Sequence, residues 1–331
     1  MTSIVPTFVA VPEGIRLYTL YSTCFIVTLG IIGNILNILV FNTLKLFRGN
    51  PCSFYFTFES IMNIGSLITA LILNTITITR TTDTISCKIQ SMLIEIFIPL
   101  SLTTVCLASI DQFFSTSPIA YFRQWNTLKS SRLYLSIAVC IWILHSIPIG
   151  IFSYSYMRII CILSDFKFIH YQLYFYYPIL LGILPMSISS IFSLLAFRNV
   201  RKIIRRQIPI DRRRLDQQMT ALVFTRVIVL VVLYLPYVIY HMYWYNPSIN
   251  QTNYMYFITL YSIGAFINSF ILLNNGIPFY IFLAVSSRYR RQVKSFLVKK
   301  IWRRCKRCYY LNRNQIIPSR KLSDELATNM D

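Results

Sequence analysis

The sequence predicts an all-α membrane protein, a bundle of seven transmembrane helices with its N-terminus outside and a short amphipathic eighth helix at its end. Two features of the 331-residue chain indicate this class. Hydrophobic residues make up 55% of the chain and charged residues only 13%, about half of the roughly 25% in an ordinary soluble domain. The formal net charge is nevertheless +21. A soluble enzyme with a conventional surface and a basic nucleic-acid-binding protein are therefore excluded, whereas a membrane protein with basic loops fits both features.

Seven apolar stretches are long enough to cross a bilayer, which takes about 20 residues for a helix. We number them spans one to seven, and they cover approximately Leu17–Leu44, Phe54–Thr79, Cys87–Phe114, Leu133–Ser153, Leu173–Phe197, Met219–Tyr243 and Tyr254–Ala284. Because the loops between them are short, the sequence predicts one bundle over residues 17–284. A short extracellular N-terminus (1–16) precedes it, and a cytoplasmic amphipathic helix with a basic tail (285–331) follows it.

The distribution of basic residues predicts the orientation of the bundle. Nearly all Lys and Arg outside the spans fall in the loops after spans one, three and five and in the C-terminal tail. The opposite side holds only Arg16, Arg80, Lys88, Arg158 and Lys167. Because basic loops stay in the cytoplasm, this asymmetry places the N-terminus outside and the tail inside.

This orientation sorts the eight cysteines by redox environment. Only Cys87, at the outer end of span three, and Cys161, in the second outer loop, face an oxidising space. They form either one disulfide, which is the favoured interpretation, or two unpaired thiols. Cys305 and Cys308, in the basic tail, are candidates for palmitoylation or remain free thiols. Asn250 begins the one glycosylation sequon that falls outside.

The outer half of span six carries a candidate ligand pocket. Tyr234, Tyr237, His241 and Trp244 recur at spacings of three and four residues, which places them on one helical face. Pocket lining is favoured for Tyr234 and Tyr237. His241 and Trp244 fit a pocket and an aromatic belt at the membrane interface equally well.

Ionisable residues inside a span are costly and usually functional, and few are present here. Glu95, in span three, is a candidate for ligand contact, although pairing within the bundle is the favoured role. Glu59 and Arg226 lie near the inner ends of spans two and six, where snorkelling of the charged groups explains them.

A series of motifs falls in order along the spans: Gly30-Ile31-Ile32-Gly33-Asn34 in span one, Trp142 followed by Pro148 in span four, and Pro185, Pro236 and Pro278 in spans five to seven. Together with the spacing from Cys87 to Asp111, these motifs resemble those of the rhodopsin-like G-protein-coupled receptors over roughly Leu17 to Ile301. The resemblance implies a disulfide between Cys87 and Cys161. It also implies a plasma-membrane receptor that transmits the binding of an extracellular ligand to a heterotrimeric G protein.

The resemblance further implies roles in activation and G-protein coupling for Asn34, Asn63, Asp111, Gln112, Phe113, Asp216, Pro236 and Pro278. Several positions depart from the family pattern. Gln112 replaces the arginine of the family's D-R-Y motif, so only a neutral hydrogen bond to Asp216 is expected there. Asn63 replaces the acid of a sodium site, Tyr234 replaces a tryptophan, and Ile277 precedes Pro278 where the family has asparagine. Asn34 and Asn63 serve equally well as hydrogen-bonding contacts between helices.

The ligand is the least constrained part of the prediction. Ile94 occupies the place where amine receptors carry an acid, which argues against a monoamine, and a peptide is preferred. No cofactor, metal cluster or catalytic constellation is evident in the sequence, so no enzymatic activity is expected. Membrane lipids are further expected partners, since the basic third inner loop and the amphipathic helix suit an anionic surface.

Two alternative functions stay open at this point. One is a seven-helix channel or transporter, a class that usually places charged or broken-helix sites at the membrane midplane in paired repeats. No internal repeat is visible in this sequence. The other is a receptor-like scaffold that no longer signals, which the presence of Gln112 in place of arginine allows.

Overall fold

The computed structural model describes residues 12–44, 47, 49–79, 83–125, 127–156, 160–203, 210–244, 254–296 and 298. The chain divides into two compact units, Met1–Ser286 and Ser287–Asp331. The first unit contains seven helices that are long and apolar enough to cross a membrane. The predicted seven-transmembrane bundle is therefore confirmed.

Most spans begin earlier than hydropathy predicts. Spans one to four are the helices Glu13–Thr43, Pro51–Thr79, Thr84–Thr116 and Leu128–Phe152. Span five comprises three consecutive segments between Phe166 and Ile203, span six is Ile210–Trp244, and span seven is Tyr254–Gly276. The early starts have a simple cause, because hydropathy marks only the part of a helix that lies in hydrocarbon. The polar first turn that continues the same helix into the interface is not detected.

Span seven ends earlier than predicted, at Gly276 instead of Ala284. Pro278 has no N–H and cannot continue the hydrogen-bond ladder. The N–H of Ile277 donates to the carbonyl of Leu273 at 2.9 Å, and a new helix, Pro278–Val285, then begins with the proline in its first turn. The seventh span is consequently broken near its inner end.

Span five contains a π-helical segment, Gln172–Ile183, between the helices Phe166–Tyr171 and Leu184–Ile203. Pro178 lies inside this segment and removes one backbone donor. The N–H of Leu184 donates to the carbonyl of Ile179, five residues earlier. This wider winding buries Tyr176 and Tyr177 towards the interior of the bundle.

A two-stranded hairpin is the one departure from an all-helical fold in the part of the chain that the structure describes. Strand β1, Ser153–Tyr156, pairs antiparallel with β2, Ile160–Leu163, and Ser155 lies opposite Cys161. Cys161 is bonded to Cys87, the pair that the resemblance implies. Asp83 caps span three by accepting a hydrogen bond from the Ser86 N–H at 3.1 Å, which fixes the first turn that carries Cys87. The disulfide thus ties this hairpin to the outer end of span three.

Small residues allow spans one and seven to pack closely. A Cβ on Gly30 would lie 2.9 Å from the Cα of Gly276 and would collide with Leu67, so only glycine fits there. The backbones of the two spans are therefore in direct contact. On the outside of the bundle, large apolar side chains such as Phe25, Leu144 and Ile183 are exposed, as expected for surfaces that face lipid.

The second unit contains the helix Ser287–Phe296, which agrees with the predicted amphipathic eighth helix. Its polar residues include Arg288, Arg290, Arg291 and Lys294. The remaining tail cysteines, Cys305 and Cys308, and the sequon at Asn250 lie outside the described residues. Palmitoylation and glycosylation at these positions stay predictions.

We expect Cys87→Ala and Cys161→Ala each to reduce the amount of protein at the cell surface, because loss of a native disulfide costs about 2–5 kcal/mol. The double variant should be no worse than either single variant, since the two thiols act as a unit. Surface labelling of a tagged protein measures this. Cys24→Ala and Cys140→Ala, at exposed free cysteines in spans one and four, are matched controls that should express normally. Additive losses for Cys87 and Cys161 would contradict the pairing.

Candidate functional site

A cavity opens among the outer halves of spans one, two, six and seven. Its volume is about 220 Å³. The residues that line it are Thr19, Thr23, Asn74, Tyr240, His241, Trp244, Tyr261, Gly264, Ala265, Asn268, Ser269 and Leu272. We call this the outer cavity. Its lining contains aromatic rings, hydroxyls and amides, and none of the lining side chains is an Asp, Glu, Lys or Arg.

The polar groups of the outer cavity are held by contacts between spans one, two and seven. The amide of Asn74 donates to the Thr23 hydroxyl at 2.8 Å, which joins span two to span one. The hydroxyl of Tyr18 donates to the Ser269 hydroxyl at 3.2 Å, which joins span one to span seven. Asn268 is exposed where it lines the cavity. The cavity therefore offers neutral hydrogen-bond donors and acceptors in fixed positions.

Gly264 shapes the wall of the outer cavity that spans six and seven share. A Cβ at this position would collide with the hydroxyl and ring of Tyr240. The Tyr240 hydroxyl in turn donates to the carbonyl of Leu260 at 3.4 Å. Any side chain larger than glycine would thus push Tyr240 out of the cavity wall.

Of the four residues of span six that the sequence predicts to line a pocket, two line the outer cavity. His241 and Trp244 line the outer cavity, whereas Tyr234 and Tyr237 do not. A role for Tyr234 and Tyr237 in lining a ligand pocket therefore stays a prediction that this cavity does not support. Both are buried, and their rings pack on each other at 5.3 Å between centroids; the Tyr237 ring also packs against Tyr177 of span five at 6.2 Å. The difference is one of depth and not of face: Tyr237 and Tyr234 lie about one and two helical turns deeper in the bundle than His241, which itself stacks on Tyr177 at 4.5 Å.

Glu95 lies beside this aromatic cluster. Its carboxylate is buried and lies beside the Tyr176 hydroxyl. Its second oxygen, Oε2, has no hydrogen-bond partner among the described residues. Neither Glu95 nor Ile94 lines the outer cavity. Glu95 therefore lies within the bundle, and contact of Glu95 or Ile94 with a ligand stays a prediction.

A network of neutral side chains joins spans one, two, three and seven deeper in the bundle. The amide of Asn34 donates to the carbonyls of Gly30 and Asn275 at 2.8 and 2.9 Å. Asn63 accepts a hydrogen bond from the Ser101 hydroxyl at 2.7 Å, and its own amide donates to Asn34 at 3.5 Å. Asn34 and Asn63 therefore form hydrogen-bonding contacts between helices, which is one of their two predicted roles. The other role, in activation, stays a prediction.

A buried ion pair lies below this network, where the sequence predicted snorkelling side chains. Arg226 Nε donates to Glu59 Oε1 at 2.7 Å, and Arg226 Nη1 donates to Asn274 Oδ1 at 2.7 Å. Arg226, Glu59 and Asn274 are 0, 2 and 1% exposed. The snorkelling interpretation was wrong, because both charged groups point into the bundle and neutralise each other. We call this set the interior ion pair.

The contact at the inner end of span three also differs from the expectation. The Gln112 amide donates to the backbone carbonyl of Asp216 at 3.1 Å and to the Thr220 hydroxyl at 2.8 Å. It does not bond the Asp216 carboxylate, which accepts from the Ser115 hydroxyl at 3.1 Å instead. The predicted Gln112–Asp216 bond is thus present only through the main chain. The Thr220 hydroxyl was not anticipated.

The other predicted inner residues lie close by. Asp111 is buried. The Phe113 ring packs against Phe192 of span five at 5.5 Å and against Phe122 of the short helix Ala120–Trp125 at 6.4 Å. Pro236 lies within span six, and Pro278 starts the last helix of the first unit. Within the described residues, no group of three or more His, Cys, Asp or Glu could hold a metal ion.

The seven spans, the outer cavity and the interior ion pair define a multi-pass membrane protein of the seven-transmembrane class. Residues 152–300 are similar to the family described as Serpentine type 7TM GPCR chemoreceptor Srw. The matched stretch covers the hairpin, spans five to seven and the helix Ser287–Phe296. This similarity points to a seven-transmembrane receptor and is not specific for the rhodopsin-like class. No curated protein matches the chain.

Sodium should not stabilise this protein specifically. A hard cation prefers carboxylate and carbonyl oxygens, but Asn63 is neutral and already accepts from Ser101, while Glu59 is paired with Arg226. The melting temperature of purified protein should therefore be equal in sodium and choline chloride at constant ionic strength. A sodium-dependent rise that Asn63→Ala abolishes would contradict this reading of the network.

Proposed function

We propose that this protein is a plasma-membrane receptor of rhodopsin-like architecture that binds an extracellular ligand in the outer cavity and activates a heterotrimeric G protein. The observation that carries the proposal is the uncharged polar cavity at the outer end of a seven-span bundle. Ligand pockets are typically concave and partly apolar, with a few placed polar groups. The similarity of residues 152–300 to a chemoreceptor family supports it.

The chemistry of the cavity favours a small uncharged ligand. An ion that left water for this cavity would find no opposite charge on its lining, and an unpaired buried charge is very costly. The volume is about 220 Å³, which is room for about seven water molecules at roughly 30 Å³ each. A peptide would place at most one or two side chains there. The cavity therefore favours a small neutral molecule that hydrogen-bonds to Asn268 and its neighbours over the peptide that the sequence alone suggests.

The coupling side of the proposal lies at the inner ends of spans three and six. Ligand binding changes signalling only if the ligand binds the active arrangement more tightly. Tyr240, His241 and Trp244 place span six in the cavity wall, and Thr220 at the other end of the same span bonds Gln112. One helix thus reaches from the proposed ligand site to the proposed surface for the G protein, which includes Gln112, Phe113 and Asp216.

A G-protein dissociation assay in cells tests this function with three compound sets of matched size. These are uncharged alcohols and amides, protonated amines, and short amidated peptides. The uncharged set should contain the agonists. Asn268→Leu should lower agonist potency about two- to tenfold, since one hydrogen bond contributes about 0.5–1.5 kcal/mol. Gly264→Ala should also lower potency by displacing Tyr240.

Ile263→Ala is the matched control, because Ile263 is exposed beside Gly264 and does not line the cavity. Its agonist potency should equal that of the unchanged protein. Agonists confined to the amine set, or potencies that Asn268→Leu and Gly264→Ala leave unchanged, would contradict the proposed ligand site. An ion current without G-protein dissociation would contradict the receptor function and favour a channel.

A further inference from the structure

The interior ion pair links three spans at one point. Arg226 belongs to span six, Glu59 to span two and Asn274 to span seven. We propose that this ion pair is the main restraint that holds span six against spans two and seven, and that its separation accompanies activation. The inference rests on the proposed function, because it names how the signalling state of the same bundle is controlled.

The burial of these groups makes the restraint strong. The Arg226 guanidinium is fully buried and bonds both Glu59 and Asn274 at 2.7 Å. If span six moved away, one or both charges would face hydrocarbon without a partner, which is strongly unfavourable. Span six can therefore leave only when another arrangement supplies partners for the same groups.

The contact at Gln112 is weaker by comparison. The Gln112 amide makes neutral hydrogen bonds to the Asp216 carbonyl and the Thr220 hydroxyl. Charge-assisted hydrogen bonds are roughly twice as strong as neutral ones. The ion pair, and not the inner contact at Gln112, is accordingly the stronger link between span six and the rest of the bundle.

The ion pair is also placed to respond to the outer cavity. Asn274 lies two residues beyond Leu272, which lines the cavity, and Arg226 lies on the same helix as His241. Pro236 stands between His241 and Arg226 and interrupts the hydrogen-bond ladder of span six. A ligand that shifts the outer end of span six relative to span seven would change the Arg226–Asn274 distance.

The guanidinium also has an unused donor. Arg226 Nη2 has no hydrogen-bond partner among the described residues. The arrangement in this structure therefore leaves one donor unsatisfied, and an arrangement that brought an acceptor to Nη2 would gain one hydrogen bond. A restraint with two hydrogen-bonded arrangements is the kind of bistable element that a switch requires.

The test uses the full chain and two readouts. The first is ligand-independent G-protein dissociation, normalised to surface expression. The second is the distance between spin labels on Leu133→Cys and Gln217→Cys, at the inner parts of spans four and six, measured by double electron–electron resonance. For labelling, Cys24, Cys140, Cys305 and Cys308 are replaced by alanine. The second readout needs no G protein.

Arg226→Gln and Glu59→Gln should each raise the basal signal at least about fivefold, the lower end of typical allosteric couplings, and should populate longer label distances. The Glu59→Gln/Arg226→Gln double variant should be no more active than either single variant, because the two groups act as one unit. The charge-swapped pair Glu59→Arg/Arg226→Glu should return both readouts towards those of the unchanged protein. Ile228→Gln, at an exposed position of the same helix, is the control and should change both readouts less. Gln112→Ala, which removes the inner contact, should change the label distance less than Arg226→Gln does.

The outcomes separate the inference from the proposed function. Longer label distances without any G-protein response would support the restraint and overturn the G-protein coupling. Unchanged label distances in variants that reach the surface would overturn the restraint, whatever the signalling. If Arg226→Gln fails to reach the surface, Arg226→Lys is tested instead. Lysine keeps the charge but cannot donate to Glu59 and Asn274 with the geometry of a guanidinium. Label distances equal to those of the unchanged protein would then overturn the restraint.

Discussion

The absence of water from the bilayer interior is the constraint on which this structure depends. Every polar side chain inside a span must find its partner within the bundle. Arg226 meets the constraint through Nε and Nη1, which bond Glu59 and Asn274. The neutral groups meet it through Asn34, Asn63 and Ser101. Because each partner lies on another span, these bonds also fix how far one span can slide along the next. The same bonds that make the polar groups tolerable therefore set the register of the bundle.

The fold was largely predictable, because crossing hydrocarbon demands long apolar stretches that composition reveals directly. What hydropathy cannot report is backbone hydrogen bonding. The break of span seven at Ile277 and the π-helical winding of span five both follow from a proline inside an apolar stretch, and average hydropathy is blind to both. The hairpin was missed because two strands of four residues each carry too little periodicity. Cys161, in the second strand of the hairpin, was identified by its position outside the membrane and not by a strand pattern.

The site was less predictable, since it depends on which helices become neighbours. Glu59 and Arg226 are 167 residues apart, so no local pattern connects them. A usable signal did exist: two opposite charges lay within spans that otherwise avoid charge, and such residues usually pair inside the bundle. The position of Tyr234 and Tyr237 outside the outer cavity could not be predicted for the same reason. A helical face can be read from spacing, but the neighbour that covers the face, here Tyr177 of span five, cannot.

The contact between Gly30 and Gly276 has a mechanical consequence. Two helices that touch through their backbones at one point have a natural pivot there, because no side chain lies between them that could rearrange to absorb a tilt. The outer cavity lies above this pivot on span seven, and Asn274 lies half a turn from it. A tilt of span seven is then a lever motion: the outer end moves most, while Asn274 stays almost fixed. In the proposed mechanism, Arg226 therefore contacts a part of span seven that moves little, and the helix that moves is span six.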